Sequence, residues 1–175
     1  MATSQQISKQ QAEARWPVRG DGTASFAVID YFDDFEGPNP HAFLSNFYEG
    51  APVDLDGLIW PTTEHYYQAQ KAHHREQAEA IRQAAGPGKA KQMGRRCKLR
   101  PDWEAVKINV MLKAVRAKFG QHPSLGAQLI ATGEALLVEG NTWEDRIWGC
   151  VDGEGENLLG LILMLVRAEL RLQSV

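Results

Sequence analysis

Glu64, Gln68 and Lys71 follow one another at intervals of four and three residues in the stretch WPTTEHYYQAQKA, residues 60–72. At about 100° per residue, a helix sets all three within roughly 60° of one another, with Tyr67 beside them. One face would then offer a carboxylate, an amide, an ammonium and a phenol, groups able to bind a polar ligand and to hold charge or a proton against it. The plain alternative is a solvated face on which Glu64 merely suits the positive end of the helix dipole. Phe43, Phe47, Tyr48, Trp60, Tyr66 and Tyr67 crowd the same neighbourhood. Polar groups among aromatics fit a ligand pocket better than open surface, so Phe47, Trp60, Tyr67 and Gln68 are read as ligand-facing.

Two further clusters could carry chemistry. EGNTWEDRIWG, Glu139 to Gly149, sets three acids and two tryptophans in a glycine-flanked loop. It could stack a flat ring on Trp148 and place the Asp145 carboxylate near it, unless the tryptophans plug the core. GKAKQMGRRCKLRPDW carries a run of basic residues from Lys89 to Arg100. Gly86, Gly88 and Gly94 would let backbone approach an anion there, and Arg95 or Arg100 could grip a phosphate with two hydrogen bonds. No Walker pattern is present.

Other chemistries find less support. The five histidines (41, 65, 73, 74 and 122) include no i,i+4 pair, so no metal site is expected. No G-x-S-x-G occurs, and neither Cys97 nor Cys150 sits in a recognisable nucleophile signature. The net charge of −3 conceals an asymmetry: residues 71–118 hold 13 Lys and Arg against 4 Asp and Glu, a local +9. That imbalance suits an anionic ligand, though basic helices can also simply face acidic loops. An acidic chain overall argues against a non-specific grip on nucleic acid.

The frame for these residues is an ordinary globular one. The chain has 175 residues, 43% hydrophobic and 23% charged, enough for one domain with a proper core. Two cysteines without a spacing motif fit a reducing compartment. No apolar signal stretch opens the chain, and its longest apolar run, Leu158 to Val166, is too short to span a bilayer. A cytoplasmic protein without membrane attachment is expected. Nothing in the sequence indicates an oligomeric state.

Residues 1–24 are polar and Gln-rich and read as a flexible arm, with the domain proper over 25–175. SFAVIDYF predicts a strand, and DDFEGPNP a loop. VDLDGLIW predicts a strand broken at Gly57, part of a small antiparallel unit. A helix starts near Thr62 or Thr63, and a second over REQAEAIRQAAG stops at Gly86-Pro87. GKAKQMGRRCKL is a short basic helix or turn. PDWEAVKINVMLKAVRAKFG is the clearest helix, entered at Pro101-Asp102 and ended at Gly120, with Val106, Val110, Leu112 or Lys113, Ala114, Ala117 and Phe119 on its mostly apolar inner side. PSLGAQLIATG predicts another helix, EALLVEG a short strand, and NTWEDRIWGCVDGEGENLLG a long loop. A buried helix with a charged end closes the chain. The tally is α+β: predominantly helical, with a few short antiparallel strands.

The same blocks carry a family resemblance. FLSNFYEGAPVDLDGLIWPTTEHYYQAQKA, GKAKQMGRRCKLRPDWEAVKINVMLKAVRAKF and LLVEGNTWEDRIWG with GEGENLLGLILMLVR resemble, in order, the opening, middle and closing blocks of the NADAR family. Together they span roughly Phe26 to Leu172. The resemblance implies an α+β fold and N-glycosidase activity with neither metal nor redox cofactor. It also implies a small-molecule substrate: a phosphoribosylamino-pyrimidine of riboflavin biosynthesis, in a damage-control role, or alternatively an ADP-ribosyl group removed from guanine in nucleic acid. Glu64 falls on the family's glutamate, Trp103 on the tryptophan of its DWE-type segment, and Asp145 and Trp148 on its DxxWG-type loop. Asn46, Lys71, Arg100, Gly149 and Asn157 also match. Cys150 and Val151 depart from the Gly/Asp-rich run of many relatives, which leaves the accepted leaving group open.

On this footing Glu64 is expected near C1′ of a ribose, with Asp145 as second carboxylate and their roles exchangeable. Lys71 would keep Glu64 ionised or hold a phosphate. Trp103 and Trp148 would stack on the base, and Arg95 or Arg100 would bind phosphate. Two other classes use the same residues differently: a module that binds ADP-ribose or a nucleotide without cutting it, and a helical protein-interaction domain.

Overall fold

The computed structural model describes residues 27–32 and 38–173. The expected arm over residues 1–24 and most of the DDFEGPNP loop lie outside the described residues. The fold is α+β and predominantly helical, with six α-helices and four three-residue strands among the described residues. The chain divides into two units, Phe43–Gln128 and the flanking Met1–Ala42 with Leu129–Val175.

In the first unit, β2 (Val53–Leu55) and β3 (Leu58–Trp60) form an antiparallel hairpin in the register Val53↔Trp60 and Leu55↔Leu58. Asp56 and Gly57 make the two-residue turn, both at positive φ (57° and 74°). An Asp-Gly pair suits the type I′ geometry whose twist matches the strands. Gln121 extends the hairpin's edge, its amide exchanging two 2.8 Å hydrogen bonds with the main chain of Asp54.

Thr62 then caps α1 (Thr63–Gln70), its hydroxyl accepting from the His65 backbone N–H. Helices α2 (Arg75–Arg82), α3 (Pro87–Gly94) and α4 (Trp103–Gln121) all pack on α1. Surrounded in this way, α1 is buried from Thr63 to Ala69. Its apolar anchors are Tyr66, edge-on to Trp60 at 5.2 Å, and Ala69, in a core with Val53, Ile81, Ala90 and Ala114. The inner side of α4 is Trp103, Met111, Ala114, Val115, Lys118 and Phe119. Lys118 is the unexpected member. It is buried because its ammonium donates to Ser45 O over 2.7 Å and lies 5.3 Å from the ring centres of both Tyr48 and Phe119. α5 (Pro123–Ala131) follows.

In the second unit, β1 (Val28–Asp30) pairs with β4 (Leu136–Val138), and the pair is parallel. A parallel pair needs a long crossover, and here the crossover is the whole of residues 31–135. α6 (Leu158–Gln173) covers β4 with Leu159, Ile162, Leu163 and Val166 buried. Gly160 permits that approach, since a Cβ there would stand 2.1 Å from Leu137 O.

Candidate active site

The site is built on α1. Asn46 fixes its entrance: the Asn46 carbonyl accepts the Glu64 N–H at 3.1 Å, and its side chain accepts from Thr63 Oγ1 and donates to Met111 Sδ. Glu64 is 5% exposed and Gln68, one turn on, 3%. Gln68 Nε2 donates to Glu64 Oε1 at 2.7 Å. A further turn on, the Lys71 ammonium lies 4.9 Å from the Tyr67 ring centre and 5.8 Å from that of Trp103. The two rings stack at a tilt, 5.1 Å apart. Segment 98–100 holds this end of the helix, with Arg100 N–H on Lys71 O at 2.8 Å and His73 N–H on Lys98 O at 2.8 Å.

Burial pushes the Lys71 ammonium below its ordinary pKa. The Glu64 charge opposes that shift, while Lys91 and Arg95 add to it. A carboxylate, a partly desolvated ammonium and two aromatic rings thus lie along or against α1, with Lys91 and Arg95 near the ammonium. Lys91 Nζ also lies 5.4 Å from the Phe47 ring centre. The arrangement can hold a flat, negatively charged ligand and stabilise positive charge or move a proton on it.

The loop of the other unit is wired differently. Asn141 donates to Asp145 O and Cys150 O and accepts the Asp145 N–H, all between 2.8 and 3.2 Å. Asp145 Oδ1 accepts the N–H groups of Ile147 and Trp148. Asn157, 0% exposed and at φ 53°, donates to Leu137 O and accepts the Glu139 N–H. Gly149 is required by contact, since a Cβ would lie 2.1 Å from Glu139 O. Among the described residues, no cluster of His, Cys, Asp or Glu could hold a metal ion, and no helix is long and apolar enough to cross a membrane.

Comparison with known proteins decides the family. Residues 31–171 match the family described as NADAR domain. The chain belongs to the NADAR family. N-glycosidase YbiA of Escherichia coli (strain K12) is 49% identical over 161 residues, which are 90% of this chain and 99% of that protein. The NMR structure of E. coli YbiA superposes with a TM-score of 0.76 at 41% identity, covering 86% of this chain and 89% of that one. A protein of Vibrio vulnificus named for riboflavin biosynthesis is 40% identical over 140 residues, 78% of this chain but 38% of its own length.

Within this NADAR chain the structure brings Glu64, Tyr67, Gln68, Lys71 and Trp103 together, with Phe47 and Arg95 in the same unit. Trp60 is a core side chain instead: 3% exposed, set against Tyr66, its indole N–H on Leu55 O at 2.9 Å. Asn46 uses its amide to anchor the helix entrance. Arg100 is held by Asp102 through two hydrogen bonds of 2.6 and 2.9 Å. Asp145, Gly149 and Asn157 hold the 139–157 loop in shape, and Trp148 is half-buried there. Two neighbours of Lys71 were not singled out as ligands in the sequence: Lys91, inside the basic run, and Cys97. Lys91 stands one helical turn before Arg95, a spacing that could have paired them. Cys97, whose thiol is pushed up by burial and pulled down by Lys71, carried no such signal.

Proposed function

We propose that this NADAR protein is an N-glycosidase that hydrolyses the C1′–N bond of a phosphorylated ribosyl N-glycoside, its substrate a phosphoribosylamino-pyrimidine of riboflavin biosynthesis. The observation that carries the reading is the buried Glu64 carboxylate sharing α1 with the partly desolvated Lys71 ammonium, beside the Tyr67–Trp103 pair. The naming of YbiA as an N-glycosidase, and of the Vibrio relative for riboflavin biosynthesis, supports it.

Hydrolysis forms a bond from a water oxygen to C1′ and breaks C1′–N. The nitrogen leaves with the bonding electrons and gains a proton, and the water loses one. Positive charge builds at C1′ on the way. Glu64 stabilises that charge and orients the water, and takes up the proton it gives. Lys71, its ammonium made more acidic by burial, supplies the proton to the departing nitrogen. Tyr67 and Trp103 flank the flat base, and Lys91 and Arg95 hold the phosphate. Asp145 has no step in this scheme, because its Oδ1 already closes a turn on two backbone N–H groups.

The test is incubation with a phosphoribosylamino-pyrimidine and, in parallel, with ADP-ribosylated guanine DNA, followed by mass spectrometry. Free ribose 5-phosphate and base from the first are expected. Release of ADP-ribose from the second alone would move the substrate to nucleic acid. Saturable binding with no cleavage of either would make the protein a binding module.

A further inference from the structure

Gln68 stands between Glu64 and α3. Its Nε2 donates to the Glu64 carboxylate, while its Oε1 is buried without a hydrogen-bond partner. What that oxygen meets is the backbone of Gly94. A Cβ built there would lie 2.1 Å from Gln68 Oε1 and 2.9 Å from its Cβ and Cδ. The Gln68 side chain therefore fills the space that any other residue at 94 would occupy. Gly94 is helical and its φ is not positive, so backbone conformation does not call for glycine here; the space does.

The amide has only one workable orientation. Turning it over would set Oε1 against the carboxylate, two acceptors face to face, and would aim the two donors of Nε2 at a Cα that accepts nothing. As built, the arrangement leaves one buried acceptor unsatisfied, which costs stability. A side chain recruited only for stability would not need to carry that penalty.

We infer that Gln68 is a positioning residue for Glu64, not a substrate ligand, and that Gly94 is the notch that seats it. Holding Oε1 from the side of α3 fixes the rotamer of the carboxylate, and an N–H donor favours its ionised form. Lys71 shares the α1 face of the pair, and the charged or titratable groups acting on it are Glu64 itself, Cys97, Lys91 and Arg95. Of the charged groups of α2 and α4 resolved as pairs, Arg82 bonds Glu79 and Lys107 bonds Glu104 within their own helices, and Lys113 pairs with Asp56 of the hairpin turn. The functional consequence rests on Glu64 acting at C1′; the structural one does not.

The experiment follows the Glu64 side-chain carboxyl by carbon NMR in a pH titration of the full chain without substrate, its signal assigned by its loss in Glu64→Gln. In Gln68→Met, of similar length but without the N–H, the Glu64 midpoint should rise by about one pH unit. In Gly94→Ala, which leaves Gln68 in the sequence but crowds its seat, it should rise in the same direction by less. With substrate, both variants should lose kcat by about 10-fold or more while KM stays within about threefold. An unchanged Glu64 midpoint in Gln68→Met, or a raised KM at unchanged kcat, overturns the inference and makes Gln68 a substrate ligand. Should Gln68→Met lose its dispersed amide spectrum, Gly94→Ala decides by the same midpoint. Absence of turnover in the unaltered protein would defeat the glycosidase reading and leave the titration result standing.

Discussion

On α1, Glu64 and Gln68 are buried and bond to each other; in the 139–157 loop, Asn141, Asp145 and Asn157 bond to main chain. Both regions bury polar side chains, both match the family pattern, and neither can be told from the other by residue type. The difference lies in where the hydrogen bonds end. In the loop each contact closes a turn or joins the loop to β4, replacing bonds that an irregular backbone would otherwise lack. On α1 the backbone is satisfied within the helix and at its caps, and Glu64 and Gln68 bond side chain to side chain. Polar groups that complete a fold and polar groups that perform chemistry are therefore separable by partner.

The sharpest way to break that separation is Glu64→Gln. It keeps shape and removes charge, so turnover should fall by about 10³-fold or more while the unfolding midpoint moves little. Retained turnover would remove Glu64 from the chemistry. Next in size is Gly149→Ala on the loop side. A Cβ at 2.1 Å from Glu139 O forces backbone apart, so urea titration should show a loss of about 3 kcal/mol or more, or no folded protein.

Asp145→Ala is the finer discriminator. It removes the acceptor of two backbone N–H groups, which should lower stability by about 1–2 kcal/mol and leave the kcat of the folded fraction within about threefold. Collapse of kcat at unchanged stability would put Asp145 among the reacting groups and erase the contrast. The smallest effect is on pH. His65 is buried, with Nδ1 on Thr62 Oγ1 and Nε2 on Ala84 O, and burial lowers its pKa below the ordinary 6.5. The unfolded chain then takes up the proton first on acidification. Stability contributed by neutral His65 is full above pH 6.5 and is lost as pH falls toward and through the lowered value. Thermal melts between pH 7 and 5 should show that slope, and His65→Gln should flatten part of it.

Much of this was legible beforehand. Interval and cap placed α1 from Thr63 onward with Glu64, Gln68 and Lys71 on one face, because helical period and N-cap chemistry are local. The Asp-Gly turn of the hairpin is local in the same way. The family blocks carried the fold class and named the candidate site residues. What sequence could not separate was Trp60 from Trp103: both are tryptophans near the site in sequence, yet one plugs the hairpin core and the other pairs with Tyr67. Nor did it show that Arg100 would be held by Asp102 two residues on.

The sequence by itself determined the helices, the small antiparallel unit, the basic middle of the chain and the carboxylate to watch. Only the tertiary structure decided which strands run parallel, since that depends on what a crossover of some hundred residues brings back. It also decided that Lys118 is buried, that Asp145 holds a turn, and that Gly94 admits Gln68. Each of these turns on a contact between residues distant in the chain or on the direction in which a hydrogen bond is made. Neither is written in the identity of the residue alone.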